Sequence, residues 1–150
     1  MNKIEPKIIQ GNFLSDNRGT LFYNNDFNAT EVKRFYIIEN KDSELIRGWQ
    51  GHKIEQRWFN VVQGSFSVKL IKIDNWELPS KDLCCKEFII SSKALDLLHV
   101  PKGFISCIQS KEEGSKLLVM SDYMFDEIED DFRFDLNYFE YKSKVNQKIK

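Results

Sequence analysis

Short runs rich in β-branched and aromatic residues, each closed by a cluster of turn-forming residues, confine this chain to an all-β fold. Residues 7–10, 20–24, 32–38, 57–63, 65–74, 83–90, 95–100, 105–109 and 116–122 read as strands. Between them stand Ser15-Asp16-Asn17-Arg18-Gly19, Asn24-Asn25-Asp26, Gln63-Gly64, Asp74-Asn75, Pro101-Lys102-Gly103 and Lys111-Glu112-Glu113-Gly114. So many short strands exceed one small open sheet, and a sandwich or barrel is expected. Within 65–74, Phe66, Val68 and Leu70 share one parity whereas Ile71 and Ile73 share the other, which predicts a bulge near Leu70. From Asp122 onward, Asp126, Glu127, Glu129, Asp130 and Asp131 interleave with Phe125, Ile128, Phe132 and Phe134, a pattern read as a turn and a short helix packed on the barrel. The lysine-rich residues 142–150 read as a frayed tail.

A chain of 150 residues is expected to form a single domain over residues 1–150, large enough to bury about two thirds of its unfolded surface. With 22 basic against 23 acidic residues the formal charge is -1, so no global field attracts nucleic acid or an anionic membrane. Any anion site must be local. No apolar run approaches the length of a membrane span, and Met1-Asn2-Lys3-Ile4-Glu5-Pro6 lacks the apolar core of a signal peptide, which points to a cytoplasmic protein. Of the 3 cysteines, Cys84 and Cys85 are adjacent, unsuited to a disulfide framework, and all are expected as buried reduced thiols.

Chemistry concentrates in Arg47-Gly48-Trp49-Gln50-Gly51-His52-Lys53. If this segment is extended, alternation places Gln50 and His52 on one face and Arg47 and Trp49 on the other. The following Arg57-Trp58-Phe59-Asn60-Val61-Val62-Gln63-Gly64-Ser65-Phe66 reads as strand, glycine turn and strand, so the polar pair sits on a β framework.

The same residues carry a resemblance. Arg47-Gly48, His52 and the aromatic strand after it, Asp16-Asn17-Arg18-Gly19-Thr20-Leu21, Val32-Lys33-Arg34-Phe35-Tyr36-Ile37, Val100-Pro101-Lys102-Gly103-Phe104 and Ser121-Asp122-Tyr123 resemble, in order, motifs of the cupin nucleotide-sugar 3,4-ketoisomerases (WxcM-like) and the dTDP-4-dehydrorhamnose 3,5-epimerases. The likeness runs from about residue 6 to about residue 139. It implies a double-stranded β-helix (cupin/jelly-roll) barrel with a short C-terminal extension. It further implies a homodimer without cofactor whose partner is a nucleotide sugar. The implied function is an isomerase or epimerase of a dTDP-type 4-keto-6-deoxy sugar, in surface polysaccharide biosynthesis. Two positions depart from the pattern: Gln50 stands where both groups carry histidine, and Ser106 stands where a histidine follows Pro-x-Gly. The alternative is therefore a catalytically inactive sugar-nucleotide-binding cupin or a partner protein.

Proton transfer beside a ketone needs a group that titrates near neutrality, which histidine supplies and glutamine does not. His52 is the candidate base, Tyr36 and Tyr123 are candidate acids or relays, and Arg47 is placed to stabilise an enolate oxygen. Arg34, Arg47 and Arg57 are candidate diphosphate ligands, with Gln50 and Ser106 as further substrate contacts. Trp49, with Trp58 and Phe59, is a candidate stacking surface for a base or sugar ring. Arg18 either binds an anion or pairs with Asp16 to fix its turn. His99 is expected as an interior, hydrogen-bonded histidine facing the core with Leu95 and Leu97. In the cupin metal positions, Gln50, His52, Glu55 or Gln56, and Ser106 offer one histidine and at most one carboxylate, so no metal is expected.

Overall fold

The computed structural model describes residues 4–141 and 143–148, and it contains strands and no helix among them. The strands are β1 (Lys7–Ile9), β2 (Asn12–Asp16), β3 (Gly19–Tyr23), β4 (Arg34–Glu39), β5 (Arg47–His52), β6 (Arg57–Gln63), β7 (Ser65–Lys72), β8 (Cys85–Ser91), β9 (Leu97–Val100), β10 (Phe104–Ser110), β11 (Lys116–Ser121), β12 (Phe132–Arg133) and β13 (Ser143–Lys148). They form a five-stranded sheet ordered β1-β9-β6-β11-β4, a six-stranded sheet ordered β12-β5-β10-β7-β8-β13, and the separate hairpin β2-β3. The result is a jelly-roll sandwich whose two sheets do not close into one continuous barrel. In the hairpin, Arg18 pairs with Asp16 at 2.7 Å and the Asp16 carboxylate accepts the Arg18 amide, which is the turn-fixing arrangement.

Between the sheets lies a core of Phe59, Val61, Leu98, Leu117 and Val119 from one side and Phe66, Val68, Leu70, Phe88, Ile90 and Ile108 from the other. A second cluster, Trp49, Ile71, Ile73, Cys85, Ile105, Cys107 and Phe139, covers the outer face of the six-stranded sheet. This second cluster overturns the bulge expected near Leu70. The register of β7 is unbroken against β8 and against β10. Its parity switch arises because Phe66, Val68 and Leu70 fill the inner core while Ile71 and Ile73 fill the outer one. Burying each such side chain contributes about 1.5–3 kcal/mol, enough to make both faces of one strand apolar.

The C-terminal segment supplies that outer cover, and here the expectations change most. The acidic stretch forms no helix: after a turn in which the Glu127 amide donates to the Met124 carbonyl, the chain adds β12 to the edge of β5. Phe134 and Trp49 then exchange backbone hydrogen bonds. Tyr138, Phe139 and Tyr141 follow and pack on Trp49 and its neighbours. The expected frayed tail is a strand over Ser143–Lys148, paired in parallel with β8; residues 142, 149 and 150 of that tail lie outside the described residues. Two further strands escaped the propensity reading, β2 and β5, because both mix glycine or polar residues with their apolar ones.

Cys85 and Cys107 are buried free thiols, raised by burial to about 12 and about 11, whereas Cys84 is exposed rather than buried. Among the described residues no helix is long and apolar enough to cross a membrane.

Candidate active site

Strand pairing brings the polar residues together at one end of the sandwich. β5 and β10 run antiparallel with Gln50 opposite Ser106 and His52 opposite Phe104, and Gly51 separates the two polar side chains. Glycine is required there, since a Cβ on Gly51 would stand 2.3 Å from the Phe104 carbonyl oxygen. The register then shifts: two residues from Ser106 to Ile108 span three from Gln50 back to Arg47. That extra residue in β5 reverses the alternation beyond Gln50. Arg47 therefore joins Gln50 and His52 on the cavity wall, and Trp49 alone turns to the outer face.

The cavity is lined by Tyr36, Arg47, Gln50, His52, Glu55, Arg57 and Ser106, with Phe59, Phe104 and Ile108 as apolar walls. Its free volume is about 40 Å³, but it opens beside Gln50, His52, Tyr36 and Arg57 into a cleft of about 420 Å³. That cleft falls within the ~300–1,000 Å³ of small-molecule sites. Its rim adds Arg34, Phe125, Asp130, Asp131 and Arg133.

His52 is 9% exposed. Its Nδ1 lies 2.7 Å from the Asp130 carbonyl oxygen and 3.0 Å from Glu55 Oε1. Both neighbours only accept, so the ring proton belongs on Nδ1 and the Nε2 lone pair is left for the cavity. Burial is the main cause holding the His52 pKa below its ordinary value, with the Arg57 charge acting the same way against the opposing Glu55 and Asp130. The imidazole is consequently neutral at neutral pH, the form a base requires.

Glu55 Oε1 accepts from Arg57 Nη2 at 2.5 Å, and Oε2 accepts from Ser121 Oγ at 2.6 Å. Burial alone would raise this carboxyl; the bonds from Ser121 and Arg57 and the charges of Arg57 and His52 hold it below its usual value instead. The other terminal nitrogen of Arg57 donates to the Tyr36 phenol oxygen. Gln50 Nε2 donates to Asp131 Oδ1 at 2.7 Å, and Arg47 Nε donates to Asn40 Oδ1 at 3.2 Å. The Ser106 hydroxyl stands 3.4 Å from the Gln50 carbonyl oxygen. Arg34 stacks over the Tyr36 and Phe125 rings, and both Arg34 and Arg57 retain a buried Nε–H with no hydrogen-bond partner among the described residues.

Of the residues singled out from the sequence, Tyr36, Arg47, Gln50, His52, Arg57 and Ser106 meet in the cavity and Arg34 in the cleft. Two do not. Trp49, 1% exposed, is enclosed by Phe139 and Tyr141 on the far side of its sheet. Tyr123 sits beyond the end of β11 with Lys33 over its ring and does not line the cavity or the cleft, although Met124 beside it does line the cleft. Trp58 and His99 stack on each other, and His99 Nε2 is 2.7 Å from Gln56 Oε1. They occupy the outer face of the five-stranded sheet, because Leu98 and Val100, not Leu97 and His99, face the core. Asp130 and Asp131 were missed as site residues, and Glu55 was weighed only as a metal position. Strand alternation with Arg57 is a local signal for Glu55, but nothing local marks Asp130 and Asp131 within a stretch of acidic residues. Among the described residues no group of three or more His, Cys, Asp or Glu is arranged to hold a metal ion.

Solved structures share this architecture. A substituted form of the 3,4-ketoisomerase QdtA from Thermoanaerobacterium thermosaccharolyticum, in complex with TDP-4-keto-6-deoxyglucose, matches with a TM-score of 0.67 at 22% identity, over 86% of this chain and 87% of that one. The WlaRB TDP-quinovose 3,4-ketoisomerase from Campylobacter jejuni matches at 0.65 and 23%, over 86% and 92%. The dTDP-4-dehydrorhamnose 3,5-epimerase from Bacillus anthracis, with TDP and PPi bound, matches at 0.68 and 16%, over 94% and 88%. At such identities the likeness establishes the fold. None of the curated proteins matches the sequence. The FdtA family profile, described as WxcM-like, C-terminal, matches residues 4–145, nearly the whole length. The chain therefore belongs to the FdtA, WxcM-like C-terminal family.

Proposed function

We propose that this protein is an isomerase or epimerase of a nucleotide-linked, dTDP-type 4-keto-6-deoxy sugar, acting by proton transfer at the carbon beside the ketone. The observation that carries this reading is a buried, neutral His52 held through Nδ1, with Nε2 directed to a cavity that opens on a cleft of substrate size. Nε2 takes the proton, the C–H electron pair becomes the enolate π bond, and the oxygen that gains charge is met by Arg47. Tyr36, with Arg57 already donating to its oxygen, keeps its own O–H to donate to the sugar. Arg57 is committed to Glu55 and Tyr36, so the diphosphate falls chiefly to Arg34. Gln50 and Ser106 act as hydrogen-bonding contacts. The QdtA structure with TDP-4-keto-6-deoxyglucose supports the substrate class, and the setting we propose is surface polysaccharide biosynthesis in the cytoplasm. The direct test is deuterium uptake at C3 or C5 of dTDP-4-keto-6-deoxyglucose incubated with the protein in heavy water.

A nucleoside diphosphate is expected to bind whether or not turnover follows, because its contacts do not depend on His52. At a hundredfold excess over Kd, such binding stabilises by about 2.7 kcal/mol, a rise in Tm of roughly 5–10 °C. Calorimetric melts with dTDP, UDP and GDP check this, and no shift from any of them would sink the sugar-nucleotide reading.

The protein is expected to be a homodimer. The edge strand β4 presents Phe35 at 71% and Ile37 at 55% exposure, and the hairpin β2-β3 exposes Leu14 and Leu21, apolar surface of the kind that a second subunit covers. Light scattering on the purified chain decides it; a monomer at micromolar concentration overturns the assignment.

A further inference from the structure

Glu55 is costly to bury and unusually well matched to its neighbours. It stands in the cavity wall with an imidazole, a guanidinium and a hydroxyl on its two oxygens, drawn from β5, β6 and β11. Arg57 alone would neutralise its charge. The additional approach of Oε1 to His52 Nδ1, beside the Asp130 carbonyl already bonded there, places the carboxylate behind the base rather than beside it. From Arg57 the chain of contacts continues to the phenol of Tyr36 on β4.

We propose that Glu55 is a positioning residue for the base: it holds His52 in the Nδ1-protonated tautomer, stabilises the imidazolium formed when Nε2 takes the substrate proton, and through Arg57 ties that step to the Tyr36 phenol. The proposal rests on the proton-transfer reading above. When the substrate C–H bond breaks, an Nε2–H bond forms and the ring becomes cationic. The negative charge 3.0 Å from Nδ1 is the nearest compensation. Returning that proton from Nε2 to carbon restores the neutral ring, so the step balances without a further reactant. The other charged or titratable groups around the ring are Arg57 on β6, Asp130 and Asp131 before β12, and Tyr36 on β4. Among the carboxylates of the described residues, only Glu55 touches Nδ1.

The test is nitrogen-15 NMR of the imidazole rings across pH on the full chain, wild type and Glu55→Gln, with deuterium exchange measured on the same samples. There are only 2 histidines, and a His99→Gln variant assigns them. Wild-type His52 is expected as the Nδ1–H tautomer. In Glu55→Gln the titration of His52 is expected to move to lower pH, because burial and Arg57 remain while the opposing charge is gone. Exchange is expected to fall roughly 10²-fold with dTDP binding unchanged. Glu55→Asp, which keeps the charge, should return the titration toward wild type. An Nε2–H tautomer in wild type, or a His52 titration that Glu55→Gln leaves in place, overturns the proposal. If Glu55→Gln does not fold, the wild-type tautomer and the Glu55→Asp titration decide instead. A ring that behaves as expected in a protein that exchanges no deuterium would leave the positioning intact and remove the sugar-isomerase reading. The opposite pair of results would remove only the positioning.

Discussion

His52→Asn is expected to lose deuterium exchange at the carbon beside the ketone by on the order of 10² to 10⁴, the usual cost of a missing general base. The amide has no group that titrates near neutrality, yet its oxygen and nitrogen keep polar atoms where the ring met the Asp130 carbonyl and Glu55. Binding of dTDP should survive, since Arg34 and the cleft rim are untouched. In wild type the pH profile carries the same signature. The native state holds His52 below its ordinary value, so exchange should persist as pH falls through the normal histidine range and decline only on passing the depressed value, where Nε2 becomes protonated. Exchange by His52→Asn as fast as wild type would place the base elsewhere.

Asp130→Ala is expected to be the most destabilising single change near the site. The Asp130 carboxylate is buried and accepts three backbone N–H bonds, from Lys53 at 2.9 Å, Ile54 at 2.9 Å and Glu55 at 2.8 Å, while its carbonyl oxygen meets His52 Nδ1. Truncation leaves those donors without an acceptor. The bonds from Lys53 and Ile54 are part-buried and that from Glu55 is buried, so the expected loss is about 2–4 kcal/mol rather than the full cost of three orphaned donors. For a chain of this length that is a fall in Tm of roughly 5–15 °C, read by calorimetry. Exchange activity should fall with it, because the turn that carries Glu55 loses its anchor. A variant that melts with wild type would mean that the segment before β12 is held by its other contacts alone.

How far the site could be read from the chain depends on how local its causes are. Gln50 and His52 share a face because strand alternation is set by bond geometry, and Gly51 lies between them because β10 passes too close for a Cβ. The turn at Asp16 to Gly19 and the break at Gly64, where the chain leaves β6 in one sheet and enters β7 in the other, follow from residue chemistry that acts over four or five positions. Composition and spacing excluded a membrane helix and a global anion field on the same footing.

Arg47 reached the cavity instead of sharing a face with Trp49 only because β10 offers two residues where β5 offers three, a mismatch between partners that neither strand records by itself. Trp49 left the site because Phe139 and Tyr141, roughly ninety residues further along, cover it, and an indole gains more from that enclosure than from a wet cleft. Asp130 looked like one acid among several until its carboxylate was seen to cap the turn of Lys53, Ile54 and Glu55, 75 to 77 positions away. The sequence alone determined most of the strands and the family, and it singled out His52 as the candidate base. Which residues stand behind that base was decided by tertiary pairing, because hydrogen bonds between distant segments are selected by the packed fold and leave no period in the chain.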